Sequence, residues 1–331
     1  MPAIAAVDLG SFIEGSQQEQ RRIAAEVDEI CRHTGFLIVK NHGMPQDVID
    51  TAWSTARAFF DLPLEEKLAV KSPDLGCPRG YFPMASEALA KSLGVETPPD
   101  MKESLAIGTL SAPERAVPAE PLEFHYGRNL WPDNPPGIRD ALSQYMLEAQ
   151  ALGDRMLQLF AAALSLPQDY FVESHTDAMC AMRCLNYPAI DEAPLANQKG
   201  AGEHADYGSI TILKSDPEVP GLEVRLPSGE WISAPLVPDG FIVNIGDMMA
   251  RWTNDRWVST LHRVISPGQE GGGLSRRQSI AFFYNGSFDA ELSCIPTCLE
   301  AGATPKYGSV EAGEYLKQRF SSALEPEPPP R

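Results

Sequence analysis

The chain of 331 residues is long enough to bury a large core, as one elaborated domain or as two. Its composition, 43% hydrophobic and 22% charged, is ordinary for a soluble globular protein, and no apolar run approaches the roughly 20 residues of a membrane span. The net charge of −18, from 45 acidic against 27 basic residues, argues against a nucleic-acid groove, because phosphate binding requires a basic patch.

The first 60 residues alternate between strand and helix patterns. We predict a strand at 4–9, a helix at 17–32, a buried strand at 36–39 and a second helix at 45–60. The first helix follows from Ile23, Val27 and Ile30, whose spacings of four and three form one apolar stripe. His42 lies in the turn between the second strand and the second helix, where a structural role is the expectation.

Prolines interrupt every pattern between residues 72 and 131. This stretch is therefore predicted to be either a long surface loop or an irregular wrapping segment that carries function. Residues 138–164 then hold the longest helical pattern in the chain, with apolar residues recurring at spacings of three and four. We expect this long amphipathic helix to brace a sheet from outside.

Beyond residue 174 the period changes from helical to alternating. Short apolar runs, separated by turn clusters that include 227–229, 238–240 and 271–273, predict strands at 179–187, 209–213, 222–226, 231–234, 241–245, 257–265 and 278–284. Because no crossover helix joins them, the pattern favours an antiparallel double sheet of jelly-roll type. The predicted fold is mainly β with flanking helices around this core, and a last helix is expected at about 311–320.

This pattern divides the chain into consecutive regions. We predict an N-terminal region of helices, strand and wrapping segment (1–120), the bracing helix (121–173), the jelly-roll core (174–290), a C-terminal loop and helix (291–320) and a disordered Pro/Glu-rich tail (321–331).

The six cysteines indicate a reducing compartment, because none forms a Cys-x-x-Cys pair and no basic n-region followed by an apolar h-region opens the chain. We expect free thiols and a cytoplasmic location. Cys180 and Cys184 lie four residues apart in a strand-like run, so they are expected to share a face as small buried hydrophobes.

His204, Asp206 and His262 form a candidate metal site. Side chains alternate faces in an extended segment, so His204 and Asp206 are expected to point the same way, while His262 lies in a later strand-like run. Two neutral imidazoles and one carboxylate leave three positions free on an octahedral ion, which is typical of non-haem Fe(II) oxygenases. The free positions suit a bidentate 2-oxo acid and dioxygen.

An arginine and a hydroxyl follow one predicted strand later. Arg277 and Ser279 share a face, and a guanidinium beside a hydroxyl can hold the distal carboxylate of a 2-oxo acid. Arg276 competes for this role, but it lies on the opposite face from Ser279. Arg183, Leu185 and Tyr187 are also spaced two residues apart, so they are expected to share one face of their strand. The Tyr187 hydroxyl is therefore a candidate third donor to the same carboxylate.

At these residues the chain resembles the isopenicillin N synthase-like family of Fe(II)/2-oxoglutarate-dependent oxygenases. The matching pieces are Asn186-Tyr187-Pro188, the run from Gly202 to Gly208, Asn244-Ile245-Gly246-Asp247, the run from Ser259 to Val264, and Arg277-Gln278-Ser279. Looser matches extend from residues 35–43 to residues 315–320, so the likeness covers nearly the whole chain in order.

The resemblance implies a double-stranded β-helix in which His204, Asp206 and His262 hold iron, while Arg277 and Ser279, helped by Tyr187, hold 2-oxoglutarate. It also implies that the enzyme oxidises a small molecule with release of succinate and CO2, hydroxylation being the commonest outcome in the family. Substrate contacts are expected from Arg183, Leu185, Val264 and Phe283, from the 79–105 stretch and from the C-terminal helix. No obligate protein partner, nucleic acid or membrane is implied.

Several alternatives stay open at this point. An iron oxidase of the same fold uses no 2-oxo acid, and an ethylene-forming relative fragments the 2-oxo acid itself. A non-catalytic metal-binding sandwich would need no Arg-x-Ser and would usually close its metal site with a fourth protein ligand. Zinc hydrolysis would need a general base, and Glu203, the nearest candidate, has the parity that points away from the metal.

Overall fold

The structure, a computed structural model, describes residues 4–73, 79–189, 195, 197–265 and 275–324. The strands are β1 (Ala5–Asp8), β2 (Phe36–Lys40), β3 (Gly80–Phe82), β4 (Glu103–Gly108), β5 (Ala178–Tyr187), β6 (Ala201–His204), β7 (Ile210–Ser215), β8 (Leu222–Arg225), β9 (Trp231–Ser233), β10 (Phe241–Ile245), β11 (His262–Val264) and β12 (Arg277–Ser287). The α-helices are α1 (Leu9–Glu14), α2 (Gln17–His33), α3 (Gln46–Phe60), α4 (Leu64–Leu68), α5 (Ala119–Tyr126), α6 (Ile138–Ala163), α7 (Asp247–Trp252) and α8 (Ala312–Leu324).

Two sheets face each other in the predicted double-sheet arrangement. The larger has eight strands in the order β1-β2-β10-β7-β12-β5-β4-β3, and the smaller has four in the order β6-β11-β8-β9. All strand pairs are antiparallel except β1 and β2, which the two helices α1 and α2 connect in parallel. The prediction of a mainly β, jelly-roll fold with flanking helices is confirmed.

Side chains of the larger sheet point alternately into two apolar layers, one on each of its faces. On β2, Leu37 and Val39 belong to the main core, whereas Phe36 and Ile38 belong to the smaller core between the sheets. The helix α6 packs against α2 and α3 and reaches β7 and β12, so it braces the larger sheet from outside as predicted. The opposite face of this sheet meets the smaller sheet through the apolar layer that includes Phe36 and Ile38.

Cys180 and Cys184 lie together on the helix side of β5, buried in the main core. Among the described residues, all five cysteines have free thiols. Cys77 and the predicted turn at 271–273 lie outside the described residues. Within the part of the chain that is described, no helix has both the length and the apolar character needed to cross a bilayer.

Several elements differ from the sequence prediction. The predicted strand 257–265 is reduced to β11, because Trp257 leaves the sheet and donates its indole N–H to Asp28 of α2 at 2.8 Å. The proline-rich stretch contains β3 and β4, which pair with each other and extend the larger sheet through β5. The short helices α1, α4, α5 and α7 were not predicted. The helix α8 continues to Leu324, four residues beyond its predicted end, and the rest of the predicted tail lies outside the described residues.

A buried carboxylate joins the N-terminal region to the larger sheet. Glu103 of β4 accepts hydrogen bonds from the Lys67 ammonium at 2.8 Å, the Tyr81 hydroxyl at 2.5 Å and the Asn186 amide at 2.7 Å. The side chains of Lys67 and Glu103 are only 10% and 6% exposed. The desolvation of both charges is thus offset by their pairing, so that removing one partner leaves a buried charge uncompensated.

Glu103→Gln is therefore expected to lower the free energy of unfolding by about 3 kcal/mol, since the Lys67 ammonium loses its counterion. Urea denaturation measures this change. Glu65→Gln, an exposed acid on α4, is the matched control and should change the free energy of unfolding by less than about 0.5 kcal/mol. A Glu103→Gln protein as stable as its control would show that this cluster does not anchor the region.

Candidate active site

The three predicted metal ligands converge between the sheets. His204 ends β6 and lies directly opposite His262, the first residue of β11. Asp206 lies two residues past the end of β6, so the strand stops before it, yet its Oδ1 is 3.9 Å from His204 Nε2 and 3.7 Å from His262 Nε2. The candidate ligand atoms of the three residues all lie within 4.8 Å of one another.

Hydrogen bonds aim these atoms at a common point. His204 Nδ1 lies 2.8 Å from the Gly202 carbonyl oxygen, and His262 Nδ1 lies 3.2 Å from that of Thr260. A carbonyl only accepts, so Nδ1 carries a proton in both rings, and in the neutral form of each ring Nε2 is the atom with a lone pair. This is the tautomer in which imidazoles bind metals through Nε2.

The third candidate ligand is oriented by two neutral donors. Asp206 Oδ2 accepts hydrogen bonds from the Thr211 hydroxyl at 2.6 Å and the Asn244 amide at 2.7 Å. Thr211 of β7 and Asn244 of β10 are register partners in the larger sheet, so one strand pair supplies both donors. Oδ1 is left facing the two imidazoles.

The electrostatics keep the site in a metal-binding protonation state. Burial, together with the neighbouring imidazole of His262, lowers the pKa of His204 to about 3. Burial alone would raise the pKa of Asp206, but the two imidazoles and the two hydrogen bonds hold it below its usual value. At neutral pH the site therefore contains a neutral His204 and an anionic Asp206, which are the forms that bind metals.

A buried arginine lies in the same space. Arg277 is 4% exposed, and its guanidinium lies 5.1 Å from the centroid of the Tyr187 ring, its register partner on β5. Burial lowers the pKa of Arg277, and Tyr187 and Asp216 oppose this shift. Its Nε and Nη1 atoms find no hydrogen-bond acceptor among the described residues. A buried cation with spare donors is a fitting receptor for a carboxylate.

The competing arginine points elsewhere. Arg276 forms an ion pair with Asp61 and a hydrogen bond with Asn186, on the outer face of β12. Glu203, the possible general base of a hydrolase, also points away from the ligands and pairs with Arg263 at 2.9 Å. Arg276 and Glu203 both point away from the cavity, as the alternation of side chains along a strand predicts.

One cavity of about 490 Å³ contains every site residue that the sequence predicted. It is lined by the candidate metal ligands His204, Asp206 and His262, by Arg277, Ser279 and Tyr187, and by the candidate substrate contacts Arg183, Leu185, Val264 and Phe283. Glu87 and Lys102 from the 79–105 stretch and Leu316 and Phe320 from α8 complete part of its wall.

The sequence assigned no individual role to several polar residues of this site, although Asn244 and Tyr207 lie in the matching motifs and Glu87 in the 79–105 stretch. Thr211, Asn244, Glu87, Tyr207 and Asn285 all line the cavity. Asn285 could have been found, because it continues the inward parity of Arg277, Ser279 and Phe283 along β12. Thr211 and Asn244 meet at Asp206 because β7 pairs with β10, and no local sequence pattern specifies that pairing.

Comparisons with known proteins identify the family. The profile described as "non-haem dioxygenase in morphine synthesis N-terminal" matches residues 4–134, and that of the "2OG-Fe(II) oxygenase superfamily" matches residues 176–286. The chain belongs to the 2OG-Fe(II) oxygenase superfamily. It is thus an enzyme that depends on Fe(II), 2-oxoglutarate and dioxygen, and the predicted family, enzyme class and cofactors are confirmed.

Named relatives of this oxygenase span nearly its whole length. Homoarginine-6-hydroxylase 2-ODD-233 from Oryza sativa subsp. japonica is 32% identical and covers 96% of this chain and 94% of its own. The 2-oxoglutarate-Fe(II) type oxidoreductase hxnY from Emericella nidulans is also 32% identical, with coverage of 96% and 89%.

Solved structures agree with this oxygenase over the full fold. A full-length Neurospora crassa protein, solved in complex with alpha-KG and thymine, has a TM-score of 0.84, 29% identity and coverage of 96% of both chains. A putative 2OG-Fe(II) oxygenase family protein from Caulobacter crescentus has a TM-score of 0.82, 30% identity and coverage of 97% of this chain and 99% of its own.

Proposed function

We propose that His204, Asp206 and His262 bind the catalytic iron of this oxygenase. The observation that carries the proposal is the convergence of one carboxylate oxygen and two Nε2 lone pairs in a buried cavity that also holds an arginine with spare donors. Two imidazoles and one carboxylate match the ligand preference of non-haem Fe(II). Thr211 and Asn244 would fix the carboxylate so that Oδ1 remains the ligand atom.

Arg277, Ser279 and Tyr187 are proposed to bind the distal carboxylate of 2-oxoglutarate. The two spare N–H groups of Arg277 suit the two oxygens of a carboxylate, and Ser279 follows on the same face of β12. Tyr187 supports this role because it is opposite Arg277 in the strand register and lines the same cavity. The carboxylate would supply acceptors and a negative charge to a buried cation whose Nε and Nη1 lack acceptors among the described residues.

The proposed reaction is the hydroxylation of a small molecule. With both bound, iron(II) and 2-oxoglutarate supply an oxidant from dioxygen: one oxygen atom enters succinate as 2-oxoglutarate loses CO2, and the other converts a C–H bond of the substrate into C–OH. The Neurospora crassa structure with thymine and the homoarginine hydroxylase are both small-molecule precedents. Arg183, Leu185, Val264 and Phe283 are the proposed substrate contacts, supported by their positions in the cavity wall.

The enzyme is further proposed to act in the cytoplasm and without an obligate protein partner. The free thiols of the described cysteines fit a reducing compartment. All of the proposed ligand and co-substrate groups come from this one chain, so a partner need not complete the site.

Stoichiometry tests the proposal. Protein reconstituted with Fe(II) should consume 2-oxoglutarate and dioxygen and form one succinate per dioxygen. Oxygen uptake without succinate would indicate the oxidase alternative, and ethylene in the headspace would indicate fragmentation of the 2-oxo acid. Tight zinc binding with no oxygen uptake would contradict the proposal and favour a hydrolase or a non-catalytic site.

A further inference from the structure

The wall of the cavity next to the proposed iron site carries a charged pair, and one member of it, Arg183, is a proposed substrate contact. Arg183 of β5 and Glu87 form an ion pair in which Arg183 Nη1 lies 2.8 and 3.0 Å from the two Glu87 oxygens. Lys102 Nζ lies 3.5 Å from the same carboxylate and 2.7 Å from Asp100. These four residues, two cations and two anions, balance in charge.

The negative charge of Glu87 is already compensated by cations of the protein. Burial would raise its pKa, but Arg183 and Lys102 lower it to about 2, so the carboxylate is ionised and already compensated by two cations. A cationic substrate at this wall would have to displace one of them. Displacing Arg183 would leave a half-buried guanidinium without its anionic partner, which is unfavourable.

Arg183, in contrast, has donors to spare. Only Nη1 is engaged by Glu87, and one face of the guanidinium covers the Phe82 ring with 4.7 Å between the guanidinium carbon and the ring centroid. Across the described ranges, no acceptor is within hydrogen-bond distance of its Nε or Nη2. The side chain keeps 20% of its surface exposed while lining the cavity. These N–H groups are available to a bound molecule.

A second donor lies further along the neighbouring strand. The backbone N–H of Ser209 donates to Asn285 Oδ1 at 3.0 Å, which fixes the orientation of that amide and leaves Nδ2 as its donor side. Asn285 lines the cavity two residues beyond Phe283 on the same strand. Arg183 is paired with Ala281, so Arg183 and Phe283 are diagonal neighbours. Along β12, the apolar Phe283 therefore lies between two side chains, Arg183 and Asn285, whose Nη2 and Nδ2 groups make no hydrogen bond to any other described residue.

We infer that the substrate is a neutral or anionic molecule, not a cation, whose carbonyl or carboxylate oxygens accept hydrogen bonds from Arg183 and Asn285 beside the ring of Phe283. This inference rests on the proposed function, because it assumes that the substrate occupies this cavity next to iron. Among the relatives' substrates, thymine is a neutral molecule with carbonyl acceptors, whereas homoarginine has a carboxylate at one end and a cationic guanidinium at the other, and the inference excludes a cationic group at this wall.

Three planar probes of nearly equal size test the inference: benzamide, benzoate and benzamidine. Protein loaded with Fe(II) and 2-oxoglutarate without dioxygen is titrated with each probe, and apparent affinity is read from the rise in melting temperature. We expect benzamide and benzoate to bind at least about tenfold more tightly than benzamidine, since only benzamidine lacks an acceptor oxygen and adds a positive charge. Tighter binding of benzamidine, or no binding of either oxygen-bearing probe, would overturn the inference.

Variants identify the groups responsible. Arg183→Met should weaken benzoate about tenfold or more, Asn285→Ala should weaken it about fivefold, and Arg225→Met, an exposed arginine on β8, should leave it unchanged. Glu87→Gln should tighten benzoate but not benzamide, because Arg183 then lacks its anionic partner while Lys102 keeps Asp100; a merely structural ion pair would not produce this gain. Unchanged benzoate affinity in both Arg183→Met and Glu87→Gln would contradict the inference.

The failure of the proposed function would look different. Substrate-independent succinate release and stabilisation by 2-oxoglutarate are measured first on the wild-type protein, without any probe. Their absence would count against the iron and co-substrate site, whereas their presence with the wrong probe preference would count against the substrate class alone.

Discussion

Replacing Asp206 with alanine is expected to reduce 2-oxoglutarate-dependent oxygen uptake at least roughly 1000-fold, which corresponds to about 4 kcal/mol in the activation barrier. The physical reason is the loss of the only carboxylate among the three converging ligands. Without it, two neutral imidazoles face each other with ring centroids 4.3 Å apart and supply no anionic ligand. Oxygen uptake and the equilibrium dissociation constant for Fe(II) are the two measurements.

Substitutions close to Asp206 should have smaller effects on Fe(II) binding and activity than its removal. Thr211→Val removes one of the two hydrogen bonds to Asp206 Oδ2 but keeps the ligand, so Fe(II) affinity should fall by about 10- to 100-fold, with activity restored at high Fe(II). Glu203→Gln changes an acid three residues before Asp206 that pairs with Arg263, and it should leave Fe(II) affinity within about twofold of wild type. If Glu203→Gln lost activity as completely as Asp206→Ala, the assignment of the metal site would be wrong.

Several of the residues predicted from sequence are ones whose placement follows from the alternation of faces along a strand. The period of two is a local property of an extended chain, so it correctly grouped Arg277 with Ser279, and Arg183 and Leu185 with Tyr187, without knowledge of any partner strand. The same rule separated Arg276 from the cavity. The long helix α6 was predictable for a similar reason, since its apolar stripe is visible in its own sequence.

The parts that escaped prediction depend on contacts between distant segments. Thr211 and Asn244 meet Asp206 only because β7 pairs with β10, and Glu87 meets Arg183 across 96 positions of sequence. The strands β3 and β4 are short and lie among prolines, and they become strands by pairing onto β5. Trp257 lies outside its predicted strand, where its indole N–H donates to Asp28, 229 positions earlier in the sequence.

The arginine at the other end of the cavity gives the second large prediction. Arg277→Met should raise the KM for 2-oxoglutarate by about 150-fold, which corresponds to about 3 kcal/mol for the loss of a buried, charge-assisted carboxylate contact. Arg277→Lys keeps the charge but loses the fork of two donors, so an intermediate increase is expected. Ser279→Ala removes one neutral hydrogen bond and should raise the KM about fivefold. Initial rates of succinate release at varied 2-oxoglutarate measure all three.

Stability should change in the opposite sense, which distinguishes a binding residue from a structural one. In the protein without 2-oxoglutarate, Arg277 carries a buried charge whose Nε and Nη1 have no partner in the described structure, so replacing it with methionine should raise the free energy of unfolding by about 1 kcal/mol or more. Saturating 2-oxoglutarate, at about 100 times its dissociation constant, should stabilise the wild type by about 2.7 kcal/mol, whereas the same concentration should have little effect on Arg277→Met.

Arg276→Met is the matched control: its ion pair with Asp61 lies on the outer face of β12, so it should leave the KM for 2-oxoglutarate unchanged and should not raise stability. Loss of stability in Arg277→Met with an unchanged KM would instead make Arg277 a structural arginine and remove the proposed anchor for the co-substrate.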